Sequence, residues 1–255
     1  MTYRIRIITP HVTPVPRKLA EVEDLAAAGP LVFSQVNIVN GPTSIESAFD
    51  EALCAPGVVA RVLEAEAEGV DAVIVDCFAD PALEASREAV AIPVIGPGEA
   101  AMRMAASLGH RFGIVTVMDS ALPLIDARAR LLGLRDRLAC IRSVNVPVGE
   151  IAHDRTLLLS RLVDAATEAV RKDCADTIVL GCTGFLGLSD ELQGILHQQG
   201  DPVSVLSPLR TAVMWATMLL QLGLRHNAIA YPAPRAKPVT GFTLRQPAKV
   251  ARTER

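Results

Sequence analysis

Two stretches of similar sequence decide the fold that we predict for this chain. Residues 69–83 read GVDAVIVDCFADPAL, and residues 174–188 read CADTIVLGCTGFLGL. Each runs from an Asp through an apolar strand to a Cys and a turn, and Cys77 and Cys182 are 105 residues apart, as are the two Asp residues. This match in register predicts two copies of one structural unit.

Other segments recur in the same order around these two stretches. Residues 5–9 resemble residues 113–117, and PVIGPGEAA from Pro93 has a looser counterpart in PVSVLSPLRTA from Pro202. Short apolar runs alternate with longer amphipathic segments, which is typical of βαβ units on parallel sheets. We therefore predict an α/β fold of two pseudo-symmetric lobes, each a short parallel sheet flanked by helices.

The repeat also suggests how the chain divides between the lobes. We expect residues 1–98 with about 208–255 to form lobe 1, which carries Cys77, and about 99–207 to form lobe 2, which carries Cys182. Because ligands often bind between lobes, the active site is expected in the interlobe cleft.

The apolar runs predict buried strands, and helix signals fall between them. The strands are expected at 4–9, 31–37, 72–77, 94–96, 112–117, 177–182 and 203–206. The T-x-x-E pattern from Thr43 to Glu46 predicts a capping box before one helix, and Pro56 predicts the first turn of another that stops at Gly69. Further helices are expected at 119–133 and 154–173.

Composition and net charge limit the kinds of molecule that the chain is expected to bind. The chain has 255 residues, a net charge of −3 and a pI near 6.0, which favours neither nucleic acid nor an anionic membrane. The apolar stretch 211–224 is shorter than the roughly 20 residues of a membrane span and predicts a buried helix. A small molecule is the expected partner. The basic stretch from Arg245 predicts a solvated tail, with anion binding as the lesser alternative.

The five cysteines indicate the compartment. Their number is odd, they are widely spread, and no export signal is apparent at the N-terminus, so reduced thiols in a cytoplasm are expected. We interpret three of them, Cys54, Cys140 and Cys174, as small hydrophobes.

Cys77 and Cys182 each stand where a parallel strand ends, which is where reactive groups collect in open sheets. If the lobes face each other, the two thiols flank one substrate, and one can act as base while the other acts as acid. Main-chain amides at Phe78, Ala79, Thr183 and Gly184 could stabilise a developing enolate. This chemistry needs no metal or organic cofactor. The scattered histidines and incomplete glycine loops also argue against zinc and nucleotide sites.

Several segments resemble the aspartate/glutamate/hydantoin racemase superfamily, most closely its hydantoin and allantoin racemase branch. They are GPTSIE with DEAL at 41–53, DCFADP at 76–81, PVIGPGEAA at 93–101, FGIVT at 112–116 and LGCTGF at 180–185. The resemblance implies two pseudo-symmetric lobes, cofactor-independent catalysis and usually a homo-oligomer. It also implies that Cys77 and Cys182 are the catalytic pair, with Thr116, Thr183 and Gly184 near the substrate.

One departure from the branch concerns the substrate. Its members usually carry Asn-Pro-Asn after the first strand, where this chain has Thr9, Pro10 and His11. We expect Thr9, His11 and Ser44 to contact the substrate. His11 could serve there as a donor, as a charge near the thiols, or only as a polar loop residue.

The sequence thus predicts an isomerase, a cofactor-independent racemase of a 5-substituted hydantoin, allantoin or related cyclic ureide. Two alternatives are related enzymes, of the maleate isomerase type or the arylmalonate decarboxylase type. A third is a two-lobed binding protein without catalytic activity.

Overall fold

Two parallel sheets of four strands each form the centre of the molecule. The computed structural model describes residues 2–235, 237–238 and 240–242, and the basic stretch from Arg245 lies outside them. The strand order is β2-β1-β3-β4 in one sheet and β6-β5-β7-β8 in the other. Because the two orders are equivalent, the predicted repeat and the α/β class are confirmed. The strands are β1 Tyr3–Thr9, β2 Leu31–Asn37, β3 Ala72–Val75, β4 Val94–Ile95, β5 Phe112–Thr116, β6 Leu138–Ser143, β7 Thr177–Leu180 and β8 Ser204–Leu206.

Helices flank both sheets. They are α1 Glu23–Ala28, α2 Ala48–Ala67, α3 Leu83–Ala89, α4 Pro97–Leu108, α5 Leu122–Leu131, α6 Arg155–Arg171, α7 Ser189–Gln198 and α8 Pro208–Gln221. The apolar face predicted for 154–173 is that of α6, where Leu158 and Leu162 are buried in the core beside β5 and β7. The helical segment before α1 is a 3₁₀ turn, Lys18–Glu21. It lies near the loop of the second lobe that contains Cys182.

The last helix after each sheet packs against the other sheet. Helix α4 follows β4 of the first sheet, yet Ala101, Met102 and Ala105 pack in a cluster with Phe112 and other residues of the second sheet. Helix α8 follows β8 of the second sheet and packs against β1, β3 and β4. This exchange of helices agrees with the expected division of the chain between the two lobes. The exact boundaries, between residues 98 and 99 and between about 207 and 208, stay a prediction.

The start of α2 differs from the sequence prediction. The cap is Ser47, whose hydroxyl accepts a hydrogen bond from the Asp50 N–H, and not the predicted Thr43 to Glu46 box. Glu46 instead accepts the backbone N–H of Val148 at 2.7 Å. Pro56 lies inside this single helix of 20 residues, so no second helix begins there. The predicted stop near Gly69 holds, since that residue has φ +73.

Three edge strands, β2, β6 and β8, each bury a single residue, which differs from the expectation that every strand is buried. Strand β2 is an edge strand of which one residue, Leu31, is buried, and Val32 is 53% exposed. Strand β6 was not predicted, because Cys140, Arg142 and Ser143 give this second edge strand no continuous apolar run.

The apolar stretch 211–224 forms most of α8, which buries one face. Ala212, Val213 and Ala216 are buried, whereas Met214 and Met218 are exposed, so the expectation of a buried helix is half correct. Within the described residues, no helix is long and apolar enough to cross a membrane.

Candidate active site

The two thiol loops, residues 76–82 around Cys77 and 181–187 around Cys182, begin in the same way. Strand β3 ends two residues before Cys77 and β7 ends two residues before Cys182, so both thiols lie in turns and not in the predicted strand ends. The N–H of the residue before each Cys bonds to the neighbouring strand, Asp76 to Ile8 at 2.8 Å and Gly181 to Val115 at 2.7 Å. The repeat therefore extends to the hydrogen bonds that place each thiol.

Both thiols line one cavity of about 360 Å³ between the two sheets' thiol loops. The other predicted site residues that line it are His11, Ser44, Phe78, Ala79, Thr116, Thr183 and Gly184. The structure therefore brings together nine of the ten residues that the sequence singled out.

Thr9 is the predicted site residue that the cavity lining lacks. It is fully buried at the end of β1, and its hydroxyl accepts a hydrogen bond from Gln35 at 3.3 Å. The next residue, Pro10, reaches the cavity in its place. A direct substrate contact by the Thr9 side chain therefore has no support in the geometry.

His11 faces the cavity as a neutral side chain. Burial lowers the pKa of His11 to about 4, and the Lys18 ammonium acts in the same direction. Its Nδ1 is buried without a hydrogen-bond partner among the described residues. The interpretation of His11 as a charge near the thiols is therefore not supported, whereas a ligand could pair with the free nitrogen.

Burial dominates the acidity of both thiols. It raises the pKa of Cys182 to about 11 and the pKa of Cys77 well above its usual value. The Gly184 N–H donates to Cys182 Sγ at 3.3 Å, and this bond and the Lys18 charge oppose the shift, as the Ala79 N–H does for Cys77. Both thiols are therefore protonated in the empty site at neutral pH, and Cys182 is the more readily ionised of the two.

The remaining cysteines differ in their surroundings. Burial raises the pKa of Cys54 and of Cys140 to about 12, and both pack against apolar clusters, in agreement with their interpretation as hydrophobes. Cys174 is exposed at φ +59, so that interpretation is wrong for this residue.

A buried ion pair at the cavity was missed by the sequence analysis. Lys18 Nζ lies 2.8 Å from Asp76 Oδ2, and both side chains are at most 3% exposed. Asp76 was visible as part of DCFADP, but no spacing in the sequence links it to Lys18. The pairing arises because the loop after β1 crosses to the end of β3.

The rest of the cavity wall is largely apolar and comes from both lobes. These residues include Pro14, Val15, Pro16, Ile45, Leu124, Ile125, Val148, Ile151 and Leu186. Across residues 2–235, 237–238 and 240–242, the His, Cys, Asp and Glu side chains form no group of three that could hold a metal ion.

Known proteins with similar sequence and structure identify the family of this chain. The model of the Asp/Glu/hydantoin racemase family matches residues 16–216. A hydantoin racemase of Rhizobium meliloti is 34% identical over 209 residues, which are 82% of this chain and 85% of that protein. The crystal structure of an allantoin racemase from Pseudomonas fluorescens has a TM-score of 0.84 and 31% identity, over 93% of this chain and 100% of that chain. Structures of a maleate isomerase from Pseudomonas putida and of an arylmalonate decarboxylase, at 18% and 20% identity, share the fold alone.

Proposed function

Because the chain belongs to the Asp/Glu/hydantoin racemase family and is a racemase, we propose that it inverts a 5-substituted hydantoin, allantoin or related cyclic ureide by proton transfer between Cys77 and Cys182, without a cofactor. The observation that carries this proposal is that both thiols, at equivalent positions of the repeat, line one cavity.

The proposed reaction uses the two thiols in turn. A thiolate removes the proton from C5, which lies between a carbonyl and a nitrogen, and the negative charge moves onto the carbonyl oxygen. The opposite thiol then donates its proton to the other face of C5. Because the Ala79 and Gly184 N–H groups bond to the thiols, we assign stabilisation of the enolate to the main-chain N–H groups of Phe78 and Thr183, which directly follow the two Cys residues. After one turnover the two thiols have exchanged protonation states, so the enzyme is ready for the other enantiomer.

The thiol environments support a reaction in which one thiol is ionised at a time. A thiolate beside a second thiolate in a buried cavity would add a like-charge repulsion, which raises the pKa of Cys77 when Cys182 is charged. We propose that Cys182 provides the first thiolate, since the Gly184 N–H and Lys18 favour its charged form.

The cavity wall favours one substituent class among the candidate substrates. Burying a polar group without a partner is unfavourable, and the wall around the thiols is mostly aliphatic and proline. An alkyl or arylalkyl substituent fits such a wall better than the polar ureido group of allantoin. We therefore propose 5-alkyl and 5-arylalkyl hydantoins as the preferred substrates.

We further propose a cytoplasmic location and a homo-oligomeric state. All five cysteines are free, which suits a reducing compartment. Large apolar side chains such as Phe49, which is 72% exposed, offer surface that a subunit contact could cover. Light scattering coupled to size-exclusion chromatography measures the oligomeric state.

The test follows single enantiomers of 5-benzylhydantoin and allantoin in deuterated water. Wild type, Cys77→Ser, Cys182→Ser and the exposed-site control Cys174→Ser are compared by optical rotation and by deuterium at C5. Loss of either cavity thiol should lower racemisation about 10²- to 10⁴-fold, because each acts as acid or base. Cys174→Ser should behave as wild type.

The two Ser variants also distinguish inversion from simple proton exchange. Each should still exchange the C5 proton of one enantiomer, a different one for each variant, without inverting it. Racemisation that survives both substitutions would contradict the two-thiol assignment. A ligand that binds unaltered to wild type would favour the non-catalytic alternative, and strong inhibition by a chelator would indicate a metal.

A further inference from the structure

Lys18 connects the two thiol loops directly. Its Nζ donates to the backbone oxygen of Thr183 at 2.7 Å, next to Cys182, and lies 2.8 Å from Asp76 Oδ2, next to Cys77. The Thr183 hydroxyl completes the connection by donating to the backbone oxygen of Asp76 at 3.2 Å. One buried ammonium therefore bridges a residue adjacent to each thiol.

The same short turn holds the Cys182 loop at a second point. Glu21, the last residue of the Lys18–Glu21 turn, accepts the Gly187 N–H at 2.7 Å. Its other carboxylate oxygen accepts the Ser207 hydroxyl at 2.7 Å. The turn belongs to the connection between β1 and β2 of the first sheet, yet Glu21 bonds to loops that follow strands of the second sheet, and Lys18 bonds to loops of both. It is therefore fixed to both halves of the site.

We propose that Lys18 is a positioning residue of the racemase, one that holds the two thiol loops at a fixed separation and sets the charge around Cys182. This inference rests on the proposed two-thiol function. A displacement of about 1 Å between reacting groups can lower a rate a hundredfold, so a bridge between the thiol loops matters for turnover. Lys18 lines the cavity, but its hydrogen-bond and ion-pair partners are the Thr183 backbone oxygen and Asp76, so we assign its role to the loops that it connects.

The charged and titratable groups around Cys182 define the expected direction of each change. Lys18 favours the thiolate, whereas Asp76, Glu46 and a charged Cys77 disfavour it, and His11 is neutral at pH 7. Burial raises the pKa of Asp76, and the adjacent Lys18 ammonium opposes that shift and favours the charged carboxylate. Removing this charge alone leaves Lys18 uncompensated and should favour the Cys182 thiolate. Removing both charges of the pair takes away the nearest cation and should disfavour it, because the Lys18 effect exceeds that of Asp76.

The experiment compares Asp76→Asn, the double variant Lys18→Met with Asp76→Asn, and the control Lys172→Met, which changes an exposed lysine at the C-terminal end of α6. Lys18→Met alone would leave a buried carboxylate unpaired, and the double variant avoids this. In Asp76→Asn the Lys18 ammonium keeps two oxygen acceptors, the Thr183 backbone oxygen and the amide oxygen of the new side chain. The pH dependence of Cys182 alkylation by iodoacetamide is read by peptide mass spectrometry, so other thiols do not interfere. Values of kcat and KM are measured alongside.

We expect the alkylation midpoint to move about one pH unit lower in Asp76→Asn, to move higher in the double variant, and to stay unchanged in Lys172→Met. In the double variant kcat should fall about tenfold or more with KM nearly constant. A wild-type midpoint in Asp76→Asn, or a shift in the same direction in both variants, would overturn the proposal. If the double variant does not fold, the isosteric Asp76→Asn decides alone.

The two proposals can fail separately. If wild type racemises no cyclic ureide, the proposed function is wrong, while the alkylation profiles still report whether Lys18 controls the Cys182 thiol. If racemisation depends on both thiols but the profiles do not move, the proposed function stands and the role of Lys18 is refuted.

Discussion

The partly buried position of Cys182 in the cavity wall sets how the activity should depend on pH. Burial raises the pKa of this thiol to about 11, and the Gly184 N–H and Lys18 only partly offset the effect. The fraction of thiolate in the empty enzyme therefore increases tenfold with each pH unit below that value.

We expect kcat/KM for a 5-alkyl hydantoin to rise steadily from pH 7 to pH 9.5, since kcat/KM reports groups of the free enzyme. The rise should follow the thiolate fraction of Cys182 and should be absent in Cys182→Ser. Initial rates of optical rotation across this range measure it, after correction for spontaneous racemisation. A profile that is already flat at pH 7 would mean that the thiol ionises far more easily than its surroundings indicate.

Individual site residues differ in how far the sequence could identify them. Cys77 and Cys182 were identified because the two copies of the repeat align them where an apolar run stops, and the structure places both, two residues after their strands, around one cavity. Lys18 could not be identified, because its partners Asp76 and Thr183 come near it only through long-range folding. Thr9 was misplaced because the side chains of consecutive residues point in different directions at the end of a strand.

The first turn of α4 supports the Cys77 loop. Asp80 accepts the N–H of Gly98 at 2.8 Å and of Glu99 at 2.7 Å, so its carboxylate satisfies free donors at this helix start. A Cβ at Gly98 would lie 2.0 Å from the backbone oxygen of Phe78. The glycine is thus required by the close approach of helix and loop.

We expect Gly98→Ala to destabilise the protein by about 1–3 kcal/mol and to lower kcat, because the helix must move away from the residue after Cys77. The matched control is Gly194→Ala in α7, where an added Cβ meets nothing within 4 Å. That change should stabilise the protein by about 0.5–1 kcal/mol through helix propensity. Urea unfolding and hydantoin kinetics measure both. Equal effects of the two substitutions would show that Gly98 is not sterically required.

Secondary structure elements were predictable where burial alone selects them. The central strands β3, β5 and β7 are almost wholly apolar, and β1 places its isoleucines in the core, so the sequence predicted all four. Strand β6 was missed because an edge strand needs no such run, and Arg142 there pairs with Asp173 and Glu168. Helix α2 was divided at Pro56 because proline usually marks a first turn, whereas here the packed helix includes it.

At the scale of the whole molecule, a buried ion pair joins α5 of the second half to the Cys77 loop of the first. Arg128 Nε lies 3.1 Å from Asp80 Oδ2, and a second arginine nitrogen lies 2.7 Å from Glu84. The Asp80 side chain is fully buried, and burial raises the pKa of Asp80 to about 6, although Arg128 opposes the shift.

We expect Arg128→Met to destabilise the protein by about 3–5 kcal/mol at pH 8, where the buried Asp80 carboxylate loses its partner. A carboxyl whose folded pKa is raised contributes stability at low pH and loses it as the pH rises. The loss should therefore be smaller at pH 5, where Asp80 is protonated. Urea unfolding at both values measures the difference.

The control for this prediction is Arg130→Met on the same helix, an exposed arginine paired with Asp126. Its effect should stay within about 0.5 kcal/mol at either pH. A pH-independent loss in Arg128→Met would indicate that packing, and not the charge of Asp80, is responsible.

The overall architecture was predictable because duplication leaves a visible register in the sequence. Two copies of one unit imply two sheets with the same strand order, which is what the structure has. The side-chain links between the halves, such as Arg128 with Asp80 and Glu46 with Val148, were not predictable. They depend on the angle at which the halves meet, and no local pattern encodes that angle.

The two copies differ at the position just before each thiol, and this difference has a consequence for kinetics. Asp76 precedes Cys77, whereas Gly181 occupies the equivalent place before Cys182, so left- and right-handed substrates meet dissimilar surroundings. Mirror-image molecules with a single stereocentre nevertheless have identical free energies in achiral solvent. Under the proposed reaction the Haldane relation then forces the two handed forms to share one value of kcat/KM. A preference of the pocket for one enantiomer can therefore appear only as equal proportional changes in kcat and KM. The enantiomer with the lower KM then also has the lower kcat.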